Sequence, residues 1–195
     1  MLEKNFVYVD KTDIIHKICD LESAFIINAE RRTGKTLLLS TIKAIFQEST
    51  EWWHQYGKNL KIVRLNPKFF DQNPYPVLKF SFSQCPNNER FLKDIRACLN
   101  RAIDKYNLQM QKIPENLNIE SLVGDKFADV LQLLKKQFNR PVIITVDESD
   151  QPLLNQMFSE RITNEKERGE KISITIDSFN QFYGLLKPKS QSIFE

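Results

Sequence analysis

The chain has 195 residues, of which 41% are hydrophobic and 27% charged, so its composition is that of a globular protein and not of a disordered one. Its 28 Lys and Arg residues exceed its 25 Asp and Glu residues by only three, which argues against a protein that coats a polyanion. The three cysteines, Cys19, Cys85 and Cys98, are widely spaced, which argues against a disulfide framework and a zinc site. We find neither a signal-peptide pattern nor an apolar run of the ~18 residues that cross a bilayer, and therefore expect a cytoplasmic protein.

The N-terminal part predicts a helix, a buried strand and a second helix. Residues 6–9 are prone to β structure, and Asp10 or Thr12 can cap a helix that follows. Residues 24–28 (AFIIN) are an uninterrupted apolar run, typical of a strand covered on both faces in a parallel sheet. Residues 35–48 place apolar side chains at helical spacing. The predicted order is strand, polar loop, helix.

Strands and helices continue to alternate along the middle of the chain. Residues 76–82 predict a strand, and residues 89–106 predict a helix. A second helix carries apolar residues from 127 to 138, and residues 141–146 form the most β-branched run of the sequence. Such alternation predicts an α/β fold with a parallel sheet.

The pattern of the C-terminal part is ambiguous. Residues 172–176 (ISITI) alternate as a strand would, whereas the aromatic residues that follow recur at helical spacing. We predict a helix over residues 177–186 and leave the first stretch open.

The loop after the first predicted strand contains half of a phosphate-binding motif. Residues 29–36 read AERRTGKT, with Ala29 where the pattern GxxxxGK[ST] has its leading glycine. The loop follows a buried strand and opens a helix whose first N–H groups lack acceptors, so it predicts a polyphosphate at the positive end of the helix dipole. The predicted nucleotide-binding residues are Arg31, Arg32, Thr33, Gly34, Lys35 and Thr36.

Two residues of this loop have specific predicted roles. The Lys35 ammonium would reach the β and γ phosphates, and the Thr36 hydroxyl would bind Mg²⁺. The alternative is that Thr33 or Thr36 merely caps the helix while Lys35 is solvated. Arg31 and Arg32 could contact phosphates, contact a partner or remain solvated.

Acidic residues end the last predicted strand, where ligands collect in open α/β sheets. Asp147 can hold the metal together with Thr36, and Glu148 can orient and deprotonate the attacking water. Lys35 and Glu148 are therefore the predicted catalytic residues. Asp150 is interpreted as an ordinary helix cap.

With these motifs the chain resembles the bacterial AAA-ATPase-like proteins, a family that often carries a PD-(D/E)XK-type nuclease domain at its C-terminus. The resemblance implies a P-loop NTPase fold, which is a three-layer α/β sandwich with a mainly parallel sheet, and ATP with Mg²⁺ as ligands. That family also lacks the leading glycine, since its loop typically reads R-P-R-R-F-G-K-[ST] and its acidic strand D-E-Y-D. The segments that carry the resemblance are residues 8–12, 31–40, 75–77, 146–150 with Pro152, 182–183 and 186–187.

The chain departs from the family pattern at several of these positions. Glu30 stands where the family has proline, and its carboxylate would repel phosphates unless it turns outward or pairs with Arg31 or Arg32. Thr33 replaces phenylalanine, Ser149 replaces tyrosine, and Gln151 stands where a basic residue is common.

The family also implies one strand more than the sequence supplies. In such ATPases a strand with a polar sensor residue follows the acidic strand along the chain and lies between it and the phosphate-loop strand. The last predicted helix ends near Lys187, and only residues 188–195 follow it. We therefore expect one incomplete domain over residues 1–195, truncated before the sensor strand, with impaired hydrolysis and a tendency to aggregate.

Two functions remain open from the sequence. The first is an ATP-binding domain whose ancestral reaction is Mg²⁺-dependent hydrolysis. The second is a non-catalytic module that binds a protein or a nucleic-acid backbone through Arg31, Arg32 and Lys35. A nucleic-acid or protein partner would be bound through the missing C-terminal region, no membrane is involved, and an oligomer is compatible with either function.

Overall fold

The computed structural model describes residues 8–19, 27, 30, 32–47, 53–67, 74–158 and 164–186. Two π-helical segments span Trp53–Gly57 and Glu120–Lys126. No helix among these residues has both the length and the apolar composition needed to cross a membrane. The other elements are α1 (Thr12–Cys19), α2 (Lys35–Gln47), α3 (Lys61–Leu65), β1 (Val77–Ser81), α4 (Asn88–Lys105), α5 (Phe127–Phe138), β2 (Ile143–Asp147), α6 (Gln151–Met157) and α7 (Glu165–Leu186).

Several predicted elements are confirmed at nearly the predicted bounds. The strands expected over residues 76–82 and 141–146 are β1 and β2, and the helices expected over residues 35–48 and 89–106 are α2 and α4. The strand expected over residues 24–28 lies outside the described residues except for Ile27. In the segment expected to be β-prone near the N-terminus, Tyr8 and Val9 belong to no strand.

The C-terminal helix is longer than predicted. Helix α7 begins at Glu165 and includes residues 172–176, so the strand-like alternation there is misleading. Thr175, Ser178 and Phe182 are its buried residues, spaced three and four apart, whereas Ile174 and Ile176 are exposed. The burial therefore follows the period of a helix, and not the alternation of a strand.

The two strands form a parallel sheet whose register brings their ends together. Val77 of β1 pairs with Ile143 of β2, and Ser81 pairs with Asp147. Both strands therefore end at the same edge. This confirms the α/β class at the level of a small parallel sheet within a helix-rich chain. The three-layer P-loop sandwich stays a prediction.

Helices cover both faces of this sheet. On the first face, Leu78 and Phe80 of β1, with Phe82 directly after the strand, pack in a large cluster with apolar side chains of α4, α5 and α7. On the second face, Ile143 packs against a smaller cluster made by α1, α2 and α3. Because successive side chains of a strand point to opposite faces, residue parity assigns every side chain of β1 and β2 to one of these two faces.

Candidate functional site

The predicted phosphate loop forms a tight turn immediately before α2. Gly34 has a φ of +92°, a backbone conformation that strongly favours glycine. The Thr33 hydroxyl donates a hydrogen bond to the Glu30 carbonyl at 2.7 Å and so closes the turn. Glu30 itself is exposed, as is Arg32, while Arg31 lies outside the described residues.

Helix α2 begins at Lys35, directly after the turn, as the sequence predicts. Lys35 is half-buried and Thr36 is exposed in the first turn of the helix. The Leu38 amide donates to the Gly34 carbonyl at 2.9 Å, so regular helical bonding begins at the glycine. The amides before Leu38 are the ones that an α-helix leaves without a helical acceptor.

Two contacts fix the direction of α2 relative to β1. The Tyr75 amide, just before β1, donates to the Phe46 carbonyl near the end of α2. Nearer the start of the helix, the Lys79 ammonium donates to the Ser40 hydroxyl at 3.0 Å. The helix therefore runs antiparallel to the strand, with its first turn directed toward the edge at which β1 ends.

The lengths of the two elements agree with this orientation. From Phe46 back to Lys35 the helix rises about 16 Å. From Tyr75 to Ser81 the strand extends about 20 Å. The start of α2 and the end of β1 thus lie at similar distances from the contact between residues 46 and 75, measured along the strand.

Asp147 lies at this edge and on the face that α2 covers. It is the last residue of β2, and its parity is that of Ile143, which packs on the cluster containing Leu38 and Ile42 of α2. Asp147 is only 6% exposed. A buried carboxylate thus stands at the strand end toward which the first turn of α2 is directed.

The residues after Asp147 are more exposed. Glu148 is exposed and has a φ of +53°. Asp150 occupies the position before α6, but its side chain makes no capping hydrogen bond. Only its carbonyl accepts, from the amides of Leu153 and Leu154. Asp150 therefore occupies the N-cap position that the sequence predicts, but its peptide oxygen and not its carboxylate makes the bonds to the helix.

Backbone strain coincides with the predicted site. Among the described residues, four other than glycine have positive φ values. Asn107 and Asn139 follow helix ends, where asparagine adopts this conformation readily. The other two are Arg32 and Glu148, which belong to the predicted phosphate loop and to the acidic strand end. Strained residues of this kind cluster at functional sites.

Side chains to which the sequence analysis gave no role connect α6 and α7 to the sheet edge at which β1 and β2 end. Gln151 donates to Asn155, and Asn155 donates to the Cys85 carbonyl, each at 2.8 Å, so α6 is tied to the turn after β1. Burial raises the pKa of Tyr183 to about 12, with Ser149 lowering it and Asp150 raising it. Tyr183 of α7 therefore lies near residues 149 and 150, which follow the end of β2. The sequence analysis could have pointed to Tyr183, because residues 182–183 are one of the segments that resemble the family.

Lys11 is a further residue that the sequence analysis did not assign. Its ammonium donates to the Thr33 carbonyl at 2.8 Å, so a lysine from before α1 contacts the predicted phosphate loop. The sequence could have pointed to Lys11 only through its position within residues 8–12, which resemble the family but match no known motif.

The donors at this edge suit Mg²⁺ held jointly with a nucleotide. Magnesium is usually bound by one or two carboxylates together with substrate phosphates and water. Asp147 supplies a carboxylate and Thr36 a hydroxyl. The described part of the chain contains no group of three or more His, Cys, Asp or Glu side chains that could form a complete metal cage.

Comparison with known proteins gives one family and no individual relative. The chain matches the sequence model of the AAA-ATPase-like family, described as "Predicted AAA-ATPase", over residues 1–195. No curated protein and no solved structure matched it significantly. The family match covers both the phosphate-loop turn and the acidic strand end. The chain therefore belongs to the AAA-ATPase-like family of predicted AAA-ATPases.

Proposed function

We propose that the chain binds ATP with Mg²⁺ between the first turn of α2 and the end of β2, and that it hydrolyses the bond between the β and γ phosphates, releasing ADP and phosphate. The observation that carries the proposal is the orientation of α2, whose first turn is directed toward the strand edge and over the sheet face where Asp147 lies. Family membership supports nucleotide binding independently of this geometry.

Each residue has a role that its position allows. The Gly34 turn and the first amides of α2 would donate to the phosphates, and Lys35 would add its ammonium. Thr36 and Asp147 would hold Mg²⁺, which neutralises charge on the phosphates when bound. The exposed carboxylate of Glu148 would accept the proton of the attacking water.

Binding is tested by calorimetric titration of the chain with ATP, with and without Mg²⁺. We expect Mg²⁺-dependent binding that is lost in Lys35→Ala, because the variant lacks the ammonium at the phosphates. Lys43→Ala, on the same helix and exposed, is the matched control and should bind as the wild type does. Binding that is unaffected by Lys35→Ala would contradict the proposal, as would salt-sensitive nucleic-acid binding that is indifferent to ATP.

Hydrolysis is tested separately from binding. Glu148→Gln should retain ATP binding and lose phosphate release by ~100-fold or more, because general-base catalysis contributes on that scale. Glu115→Gln, which removes an exposed carboxylate remote from this loop in sequence, is the control. Equal rates of phosphate release in the Glu148 variant and the wild type would remove Glu148 from the mechanism.

A further inference from the structure

A rigid anchor precedes the phosphate-loop turn in sequence. The Asp10 carboxylate accepts hydrogen bonds from the Thr12 amide at 2.8 Å, the Thr12 hydroxyl at 2.7 Å and the Lys61 amide at 2.7 Å. Thr12, which is fully buried, also accepts from the Ile62 amide at 3.0 Å. Residues 10 and 12 therefore join the start of α1 to the start of α3.

Lys11 lies between these two anchored residues and extends to the loop. Its ammonium donates to the Thr33 carbonyl at 2.8 Å. The same ammonium is 3.8 Å from the position that a Cβ atom on Gly34 would occupy. Lys11 is thus in contact with the Gly34 turn, and its backbone is fixed on both sides by the anchor.

The Lys11 contact determines the direction of an amide in the turn. The peptide joining Thr33 to Gly34 is trans, so its C=O and N–H bonds lie in one plane and point in opposite directions. Holding the Thr33 carbonyl on Lys11 therefore directs the Gly34 N–H away from Lys11. A donor whose direction is fixed in advance costs less ordering when an anion binds to it.

We infer that Lys11 is a positioning residue for the phosphate-binding turn: through the Thr33 carbonyl it sets the orientation in which the Gly34 amide meets a phosphate. The nucleotide arm of the test rests on the proposed function. The structural arm, which concerns the shape of the turn before any ligand binds, does not.

The nucleotide arm compares Mg²⁺-ATP affinity in three variants. Lys11→Met should weaken binding about ten-fold, the size expected for losing one charge-assisted hydrogen bond. Lys11→Arg, which keeps a charged donor, should recover most of the affinity. Lys17→Met removes an exposed lysine of α1 and controls for general loss of charge. A Lys11→Met affinity equal to that of the wild type or of Lys17→Met would overturn the inference, as would a loss in Lys11→Arg as large as that in Lys11→Met.

The structural arm measures hydrogen exchange of the nucleotide-free proteins. We expect Lys11→Met to speed exchange in residues 34–38, including the Leu38 amide bonded to Gly34, and to leave α4 unchanged. Lys11→Arg should exchange as the wild type does. Unchanged exchange at 34–38 in Lys11→Met would overturn the inference even where nucleotide binds. If the wild type binds no ATP, the proposed function fails while this exchange result still decides the role of Lys11.

Discussion

Glu148 has an exposed carboxylate and a backbone in the left-handed conformation. For a residue with a Cβ atom this conformation costs about 1–2 kcal/mol relative to the right-handed one. Nothing in the packing of an exposed side chain offsets that cost. Because glutamate is neither small nor suited to this region, the residue type here is better explained by its carboxylate than by its contribution to stability.

Substitution of Glu148 separates these two properties. Glu148→Gly should raise the free energy of unfolding by about 0.5–1 kcal/mol, because relief of the strained backbone exceeds the added chain entropy of glycine. Glu148→Gln should leave stability within about 0.5 kcal/mol. Urea denaturation checks both values, and both variants should lose ATP hydrolysis. If Glu148→Gly is no more stable than Glu148→Gln, the backbone there is not strained.

Asp10 should make the stability of the chain depend on acid pH. Partial burial raises the pKa of its carboxyl, but hydrogen bonds from Thr12 and from the Lys61 amide, with the Lys61 charge, hold the pKa below its ordinary value. A carboxyl whose pKa is lowered by folding stabilises the native state above its unfolded pKa of about 3.9. That contribution is lost as the pH falls through the lower native pKa.

Asp10→Asn tests this contribution. In asparagine one carboxylate oxygen is replaced by an NH₂ group, which donates and cannot accept, so the side chain can accept from Thr12 or from the Lys61 amide but not from both. We therefore expect a loss of about 1–2 kcal/mol at pH 7. The difference from the wild type should shrink as the pH is lowered below ~4. Urea denaturation at pH 7, 5 and 3 measures it. Asp13→Asn, which removes only an exposed carboxylate 3.7 Å from Lys61, should cost less than about 1 kcal/mol; an equal cost in the two variants would contradict the argument.

At the scale of the elements, one aromatic side chain of α7 contacts several neighbouring elements. The Phe182 ring is fully buried, with its centroid 5.2 Å from that of Phe80 and 5.9 Å from that of Phe127. The Phe182 ring also contacts those of Phe82 and Phe91 at similar distances. One residue of α7 therefore meets β1, α4 and α5.

Phe182→Ala should cost about 3–5 kcal/mol in the free energy of unfolding, since it leaves a cavity among four other rings. This is a large share of the free energy of unfolding of a typical domain, about 5–15 kcal/mol. Urea denaturation of the variant and the wild type is therefore best measured with a stabilising osmolyte such as trimethylamine N-oxide, which keeps the variant folded at the start of the titration. Ile174→Ala, on the same helix but 54% exposed, should cost less than about 1 kcal/mol. Similar losses in both variants would mean that α7 is not held through Phe182.

The elements differ in how far the sequence could predict them. The start of α2 at Lys35 was predictable because a helix-opening motif and a periodic apolar stripe coincide there. The length of α7 was not, because residues 172–176 alternate while two of the three buried residues of the helix, Thr175 and Ser178, are polar. The contact of Lys11 with Thr33 joins positions 22 apart in sequence, and no local pattern encodes such a tertiary contact.

At the scale of the whole molecule, the parallel sheet separates two apolar clusters of unequal size. The candidate site lies at the edge of the sheet with contributions from both sides. Asp147 and α2 belong to the face of the smaller cluster, whereas Tyr183 packs against the larger one. The geometry of the site therefore depends on both clusters being formed.

Thiol labelling reports on the larger cluster as a unit. Cys85 follows β1 and Cys98 lies in α4, with exposures of 0% and 5%, and burial raises the pKa of the first to about 12 and of the second to about 11. Modification needs an accessible thiolate, so both should resist iodoacetamide at pH 8. Half-buried Cys19 should react first, and Cys19→Ser should remove that early reaction.

Adding urea below the unfolding midpoint then tests whether the larger cluster opens in one step. If Cys85 and Cys98 become accessible only when the whole cluster unfolds, their labelling rates should rise with the same dependence on urea concentration, because both report the same exposed area. Mass spectrometry of tryptic peptides gives the two rates separately. A steeper dependence for one thiol would mean that α4 and the turn after β1 open independently, and the sheet edge carrying the candidate site would then have a stability of its own.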